Sequence, residues 1–205
     1  MKKLIKPISL IAQLAIVAAM TTVVVTSANA NQTFTGTEDN VIDITPIKAA
    51  SILTFSYEGD GVFTASPVDS AGTEGLSYSL EIGSFTGTYF QKTPSKPITA
   101  LSIKGEGQWS VKISPLKSAP VLGAKMGSGN GTSVISIGKA TTASKRITWK
   151  HDGEGVFVVT PISAKGVASF PLFLKIGAYN GTVIMKSGVQ YFEVKADGNW
   201  SYSIK

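Results

Sequence analysis

Two short stretches carry acidic residues and glycines in one pattern, "EGDG" at 58–61 and "DGEG" at 152–155. Glycines beside charged groups suggest two kinds of chemistry. A phosphate-gripping loop places Gly-rich backbone between a strand and a helix, so that amides at the helix start meet the anion. Here Glu58, Asp60, Asp152 and Glu154 would repel an anion, and the flanking residues read as strand on both sides. The same four carboxylates could instead hold calcium with backbone carbonyls, but calcium usually takes more carboxylate ligands than one such turn supplies. The preferred reading is a hairpin turn in which Gly59 and Gly61 supply positive φ. No cofactor is expected.

Catalytic chemistry has few residues to work with. The chain has one histidine, His151, and no cysteine, so a Cys–His dyad is excluded and a Ser-His-Asp triad could form only around His151. No Gly-x-Ser-x-Gly stretch is present. His151 ends the stretch "ITWKH", whose counterpart "LTFSY" ends in Tyr57, and a residue exchanged for tyrosine reads as a half-buried edge residue, not a general base. The 13 acidic residues sit mostly in turns, which argues against a glycosidase carboxylate pair. The expectation is a protein without a catalytic centre.

Aromatic rings are the best candidates for ligand contact, since flat rings stack on sugars and on partner surfaces. Trp109, Trp149, Trp200, Phe63 and Phe157 lie in phase with aliphatic neighbours and read as core. Phe173, Tyr191, Tyr89 and Phe90 fall out of phase. They are the candidate ligand-binding residues, although packing between two modules is the slightly favoured role.

These residues sit on a scaffold written twice. At an offset of 94, Phe63 falls on Phe157, Pro67 on Pro161, Gly72 on Gly166 and Leu80 on Leu174, and "EIGSFTGT" (81–88) lands on "KIGAYNGT" (175–182). After three extra residues around "TPSKP" the offset becomes 91, and "IKGEGQWSVKI" (103–113) matches "VKADGNWSYSI" (194–204). Upstream, "NVIDI" (40–44) matches "SVISI" (133–137). Such self-similarity sets the domain reading: modules at 33–117 and 124–205, joined by a linker at 118–123.

Strand signals fill both copies. Trp109, Val111 and Ile113 alternate with Gln108, Ser110 and Lys112, and Trp200, Tyr202 and Ile204 repeat the pattern. Tyr78, Leu80 and Ile82 are expected to share an inward face, as are Leu172, Leu174 and Ile176. Glycine-containing turns separate these runs. The expected fold is all-β: two tandem homologous antiparallel β-sandwiches, immunoglobulin-like or jelly-roll, after a signal peptide.

That leader is residues 1–30. It has Lys2, Lys3 and Lys6, a long uncharged apolar centre, and Ala28-Asn29-Ala30 before a cut after Ala30. Export is therefore expected, to the medium or cell envelope, with no membrane insertion after cleavage. The 19 basic and 13 acidic residues of the whole chain become 16 and 13 without the leader, and no run of four basic residues exists. Nucleic acid is not an expected partner. The leading function is a non-catalytic binding or structural module for a cell-surface glycan or protein. A carbohydrate-active accessory or hydrolytic protein and a subunit of a surface assembly are the alternatives.

Overall fold

The computed structural model describes residues 31–205 and, ahead of them, only the two-residue strand β1 (Val24–Val25), which pairs with β2. Apart from that strand, the expected leader with its cut after Ala30 lies outside the described residues.

The first set of strands is β2 (Gln32–Gly36), β3 (Asn40–Ile47), β4 (Ser51–Glu58), β5 (Val62–Asp69), β6 (Ser79–Ile82), β7 (Phe85–Gln91), β8 (Ile98–Lys104) and β9 (Gln108–Pro115). A single 3-10 turn, Leu116–Ser118, follows. The second set is β10 (Met126–Asn130), β11 (Ser133–Ser136), β12 (Lys145–His151), β13 (Val156–Ser163), β14 (Phe173–Ile176), β15 (Tyr179–Met185), β16 (Val189–Lys195) and β17 (Asn199–Ile204).

All pairing between these strands is antiparallel. The first set forms sheets ordered β2-β9-β4-β7, with β1 added at the β2 edge, and β3-β8-β5-β6. The second forms β10-β17-β12-β15 and β11-β16-β13-β14. Counted from one to eight within each set, both read 1-8-3-6 facing 2-7-4-5. That is the order of a jelly roll, and it excludes the immunoglobulin alternative.

Alternation along the strands fills each interior. Leu53, Phe55 and Tyr57 of β4 and Trp109, Val111 and Ile113 of β9 meet Phe63, Ala65, Leu101 and Ile103 from the facing sheet. In the second half Ile147, Trp149, Trp200 and Tyr202 meet Phe157, Val159, Phe192 and Val194. Trp109 and Trp200 occupy equivalent buried places, as expected. The Trp109 indole N–H donates to the Glu38 carbonyl and that of Trp200 to the Gly131 carbonyl, each at 2.9 Å. Each ring lies across a directly paired glycine, Gly36 and Gly129. A Cβ there would come within 2.2 Å and 2.4 Å of the respective indole.

A third cluster joins the halves: Ile52, Leu116 and Ala119 pack with Val134, Ile162 and Tyr191, and Ala50 and Phe90 cover them. Backbone bonds reinforce the junction, from the Thr88 amide to the Thr132 carbonyl at 2.9 Å and from the Ser136 amide to the Pro120 carbonyl at 2.9 Å. The connecting segment 118–123 is thus docked, and Val121 bridges Ser136 in parallel.

The expected inward face of β6 and β14 is corrected. Leu80 and Ile82 are 71% and 81% exposed, and Leu174 and Ile176 are 64% and 76% exposed. The reason is a break in alternation at the start of each strand. The Tyr78 amide bonds the Ala65 carbonyl while Ser79 also pairs with Ala65, and Leu172 and Phe173 relate to Val159 in the same way. Two consecutive residues oppose one partner, so Tyr78 faces the core and Leu80 does not.

Candidate functional site

Two equivalent grooves open at the same end of each jelly roll. In the first half β5 ends at Asp69, and the chain turns through Asp69–Thr73. The Asp69 carboxylate accepts the Ala71 and Thr73 amides at 2.8 and 3.0 Å, and the Gly75 amide returns to the Pro67 carbonyl at 2.8 Å. Those amides, with Lys96 at 3.9 Å, hold the Asp69 carboxyl below the usual carboxylate range against a smaller opposing effect of desolvation. The second half repeats the turn with a hydroxyl in place of the carboxylate. The Ser163 side chain accepts the Val167 amide at 3.2 Å, and the Ser169 amide bonds the Pro161 carbonyl at 2.9 Å.

Beyond each turn one large apolar side chain stands out of the protein. Leu76 is 93% exposed and Phe170 is 94% exposed, and they are equivalent at offset 94. The first groove, about 360 Å³, runs from Leu76 and Pro67 past Tyr78 to Lys92, Pro94 and Lys96. The second, about 750 Å³, runs from Phe170 and Pro161 past Leu172 to Ile184 and Lys186. Each combines an apolar projection, a proline floor and a lysine-bearing wall. Burial pushes the Tyr78 hydroxyl far above its ordinary value, so it stays a neutral donor, and it bonds the Gln91 side chain.

The four aromatics singled out in the sequence are not brought together. Tyr89 is buried in the first core, where its hydroxyl donates to Glu81 at 3.1 Å. Phe173 packs on the second core against Phe157 and Tyr179, at ring separations of 5.2 and 4.6 Å. Phe90 and Tyr191 belong to the cluster between the halves. Both faces of β16 are covered there, which is why Tyr191 falls out of phase with Phe192 and Val194.

The glycine-acid turns need a different account from the one expected. Gly59, Gly61, Gly153 and Gly155 are absent from the positive-φ glycines. Their small size answers close approach: a Cβ on Gly59 would meet the Tyr57 hydroxyl at 2.3 Å, and one on Gly153 the Asp197 carboxylate at 2.2 Å. Asp152 accepts the backbone and side-chain N–H groups of Asn199 at 2.7 and 3.0 Å, which lower its carboxyl from the ordinary value. It lines an open groove with Asn130, Lys150 and Asn180. Among the described residues, no group of three or more His, Asp or Glu is gathered as metal ligands.

His151 is buried on an interior strand, a correction to the expected half-buried edge position. Its ring stacks on Phe157 at 4.4 Å, with Nδ1 3.2 Å from the Gly177 carbonyl and Nε2 3.1 Å from Asp197. Its counterpart Tyr57 donates to the carbonyl of Glu106, the residue equivalent to Asp197. The imidazole thus fills a structural slot. Reading the sequence missed the grooves, although the equivalence of Leu76 and Phe170 at a turn was a usable signal.

No family model matches the chain, and no curated protein matches it. Among solved structures, a cupin 2 conserved barrel domain protein from Leptotrichia buccalis is similar over 92% of this chain and 90% of its own, at 10% identity and a TM-score of 0.28. The N-terminal CBM22-1–CBM22-2 tandem domain from Paenibacillus barcinonensis Xyn10C is similar over 91% and 89%, at 7% identity and a TM-score of 0.28. A conserved protein of unknown function from Pseudomonas aeruginosa covers 85% and 78%, at 9% identity and a TM-score of 0.26.

Proposed function

We propose that the chain is an exported, non-catalytic binding protein of two tandem jelly-roll domains, near 33–117 and 124–205. Each domain offers one groove to a cell-surface polymer or protein partner. The observation that carries this reading is the pairing of Leu76 with Phe170, two nearly fully exposed apolar side chains at equivalent groove mouths. A scattered exposed residue needs no explanation, but a repeated one beside a groove on both modules supports a shared use. Two linked sites on one repetitive partner gain affinity through effective concentration. Export is supported by the three-part leader, and intact mass of the protein recovered from the medium or envelope should then match a chain starting at Asn31.

The test is retention of the purified protein on a glycan array and on isolated cell walls. Selective retention is expected, and Leu76→Ser or Phe170→Ser should each weaken it by about tenfold or more because either change removes one of two linked sites. Retention unaffected by both changes would remove the grooves from the reading. Silence on both surfaces would leave a protein partner, sought through the same two variants.

A further inference from the structure

Each half carries the same exposed apolar cluster outside the grooves: Val62, Leu80 and Ile82 in the first, Val156, Leu174 and Ile176 in the second. The three positions are identical residue for residue at offset 94. They lie on β5–β6 and β13–β14, with Val62 paired to Ile82 and Val156 to Ile176. β6 and β14 are also the free edges of their sheets. Edge strands expose unpaired backbone groups, and soluble proteins usually protect them with charge, proline or bulges on the open side. These two edges instead present leucine and isoleucine on the outer sheet face.

The residue between the leucine and isoleucine differs in sign. It is Glu81 in β6 and Lys175 in β14. Both side chains lie on the inner face of the edge: Glu81 accepts the Tyr89 hydroxyl at 3.1 Å, and the Lys175 ammonium stands 5.9 Å from the Tyr179 ring centre. The ladder parity also agrees. The Gly83 amide bonds the Gly61 carbonyl at 3.0 Å, and the Gly177 amide bonds the Gly155 carbonyl at 2.8 Å. Antiparallel alternation then turns the backbone groups of Glu81 and Lys175 inward, and those of Leu80, Ile82, Leu174 and Ile176 toward the open edge.

We infer that these edges are covered by a second copy of the chain, β6 of one copy pairing antiparallel with β14 of the next, with Glu81 opposite Lys175. In that register Leu80 meets Ile176 and Ile82 meets Leu174, and the outward backbone groups of both strands coincide. The charged pair occupies the non-hydrogen-bonded position, where opposed side chains approach most closely. The apolar clusters become continuous on one face. The symmetric alternatives set Glu81 against Glu81 or Lys175 against Lys175, and directly opposed like charges are unfavourable. The contact is head-to-tail, so it propagates as a chain of copies or closes as a ring.

Sedimentation of the purified protein across a concentration series tests this. Association rising with concentration is expected. Glu81→Lys and Lys175→Glu should each raise the association midpoint by about tenfold or more through like-charge opposition, and the double exchange should restore it. Leu80→Pro removes an outward amide that the β5 ladder does not use, so it should abolish association while the thermal melt is retained. A protein that stays monomeric throughout overturns the inference. So does association that ignores the single changes, or a double exchange that fails to recover it.

Discussion

Trp109 and Trp200 each fill a core and close a strand pair, because the indole lies across a glycine and its N–H reaches a loop carbonyl. Trp200→Ala should destabilise the second half by roughly 3–5 kcal/mol, as for other buried large aromatics, read as a shift in thermal melting. Gly129→Ala should unsettle the same site from the opposite strand, since its new methyl would enter the indole's space. Glu193 makes a contrasting prediction. It sits at the junction of the halves and accepts the Phe90 amide at 3.1 Å. Burial raises its carboxyl above the ordinary glutamate value, against the weaker opposing effects of Lys195 and the Phe90 N–H. The folded chain therefore holds this proton more tightly than the unfolded chain does. Stability falls as pH rises from the ordinary glutamate range through the raised folded value, then levels off. Glu193→Gln should raise the melting temperature at neutral pH, and the gain should shrink as pH falls through the raised folded value and be gone below about pH 4. The tryptophans were legible because a period of two survives along β9 and β17. Tyr191 was not, because the partner that buries it comes from the other half of the chain.

Strand identity and turn positions could be read from alternation and glycine, and the internal repeat fixed which strands correspond. The facing of β6 and β14 could not be read, because two residues opposing one at the strand start reverse the phase without leaving a mark in composition. The same limit applies to the grooves, which arise where a bulged strand end, a capped turn and a lysine-bearing loop converge from distant parts of the sequence. The turns themselves are testable. Asp69→Ala should loosen the first groove's turn by removing the acceptor of two amides, seen as faster amide exchange at Ala71 and Thr73. Because its carboxyl is lowered, that bracing is present above the ordinary aspartate range and is lost as pH falls through the folded value.

The two halves share an apolar cluster and are bonded across their junction, so they should unfold together. A single calorimetric transition is expected, and Tyr191→Ala should split it into two by removing the largest ring of the shared cluster. Wild-type protein showing two separated transitions would mean that the junction contributes little. At this scale the duplication was plain in the sequence, whereas the docking of 118–123 was not, because Pro, Gly and Ser mark loops without telling which loops are held down.

In each half the first strand is hydrogen-bonded to the last, β2 to β9 and β10 to β17. Every jelly roll here must wait for its own C-terminal strand before its sheet can close. The first half cannot finish until β9 is in place as far as Pro115, and the second cannot finish until β17 is added as far as Ile204. β17 is inserted between β10 and β12, so those late residues form the middle of a sheet and not its margin. Such long sequence separations favour slow folding, in milliseconds to seconds and not microseconds. Removing residues 199–205 should therefore leave the second half unfolded, with protease sensitivity spread across residues 126–195.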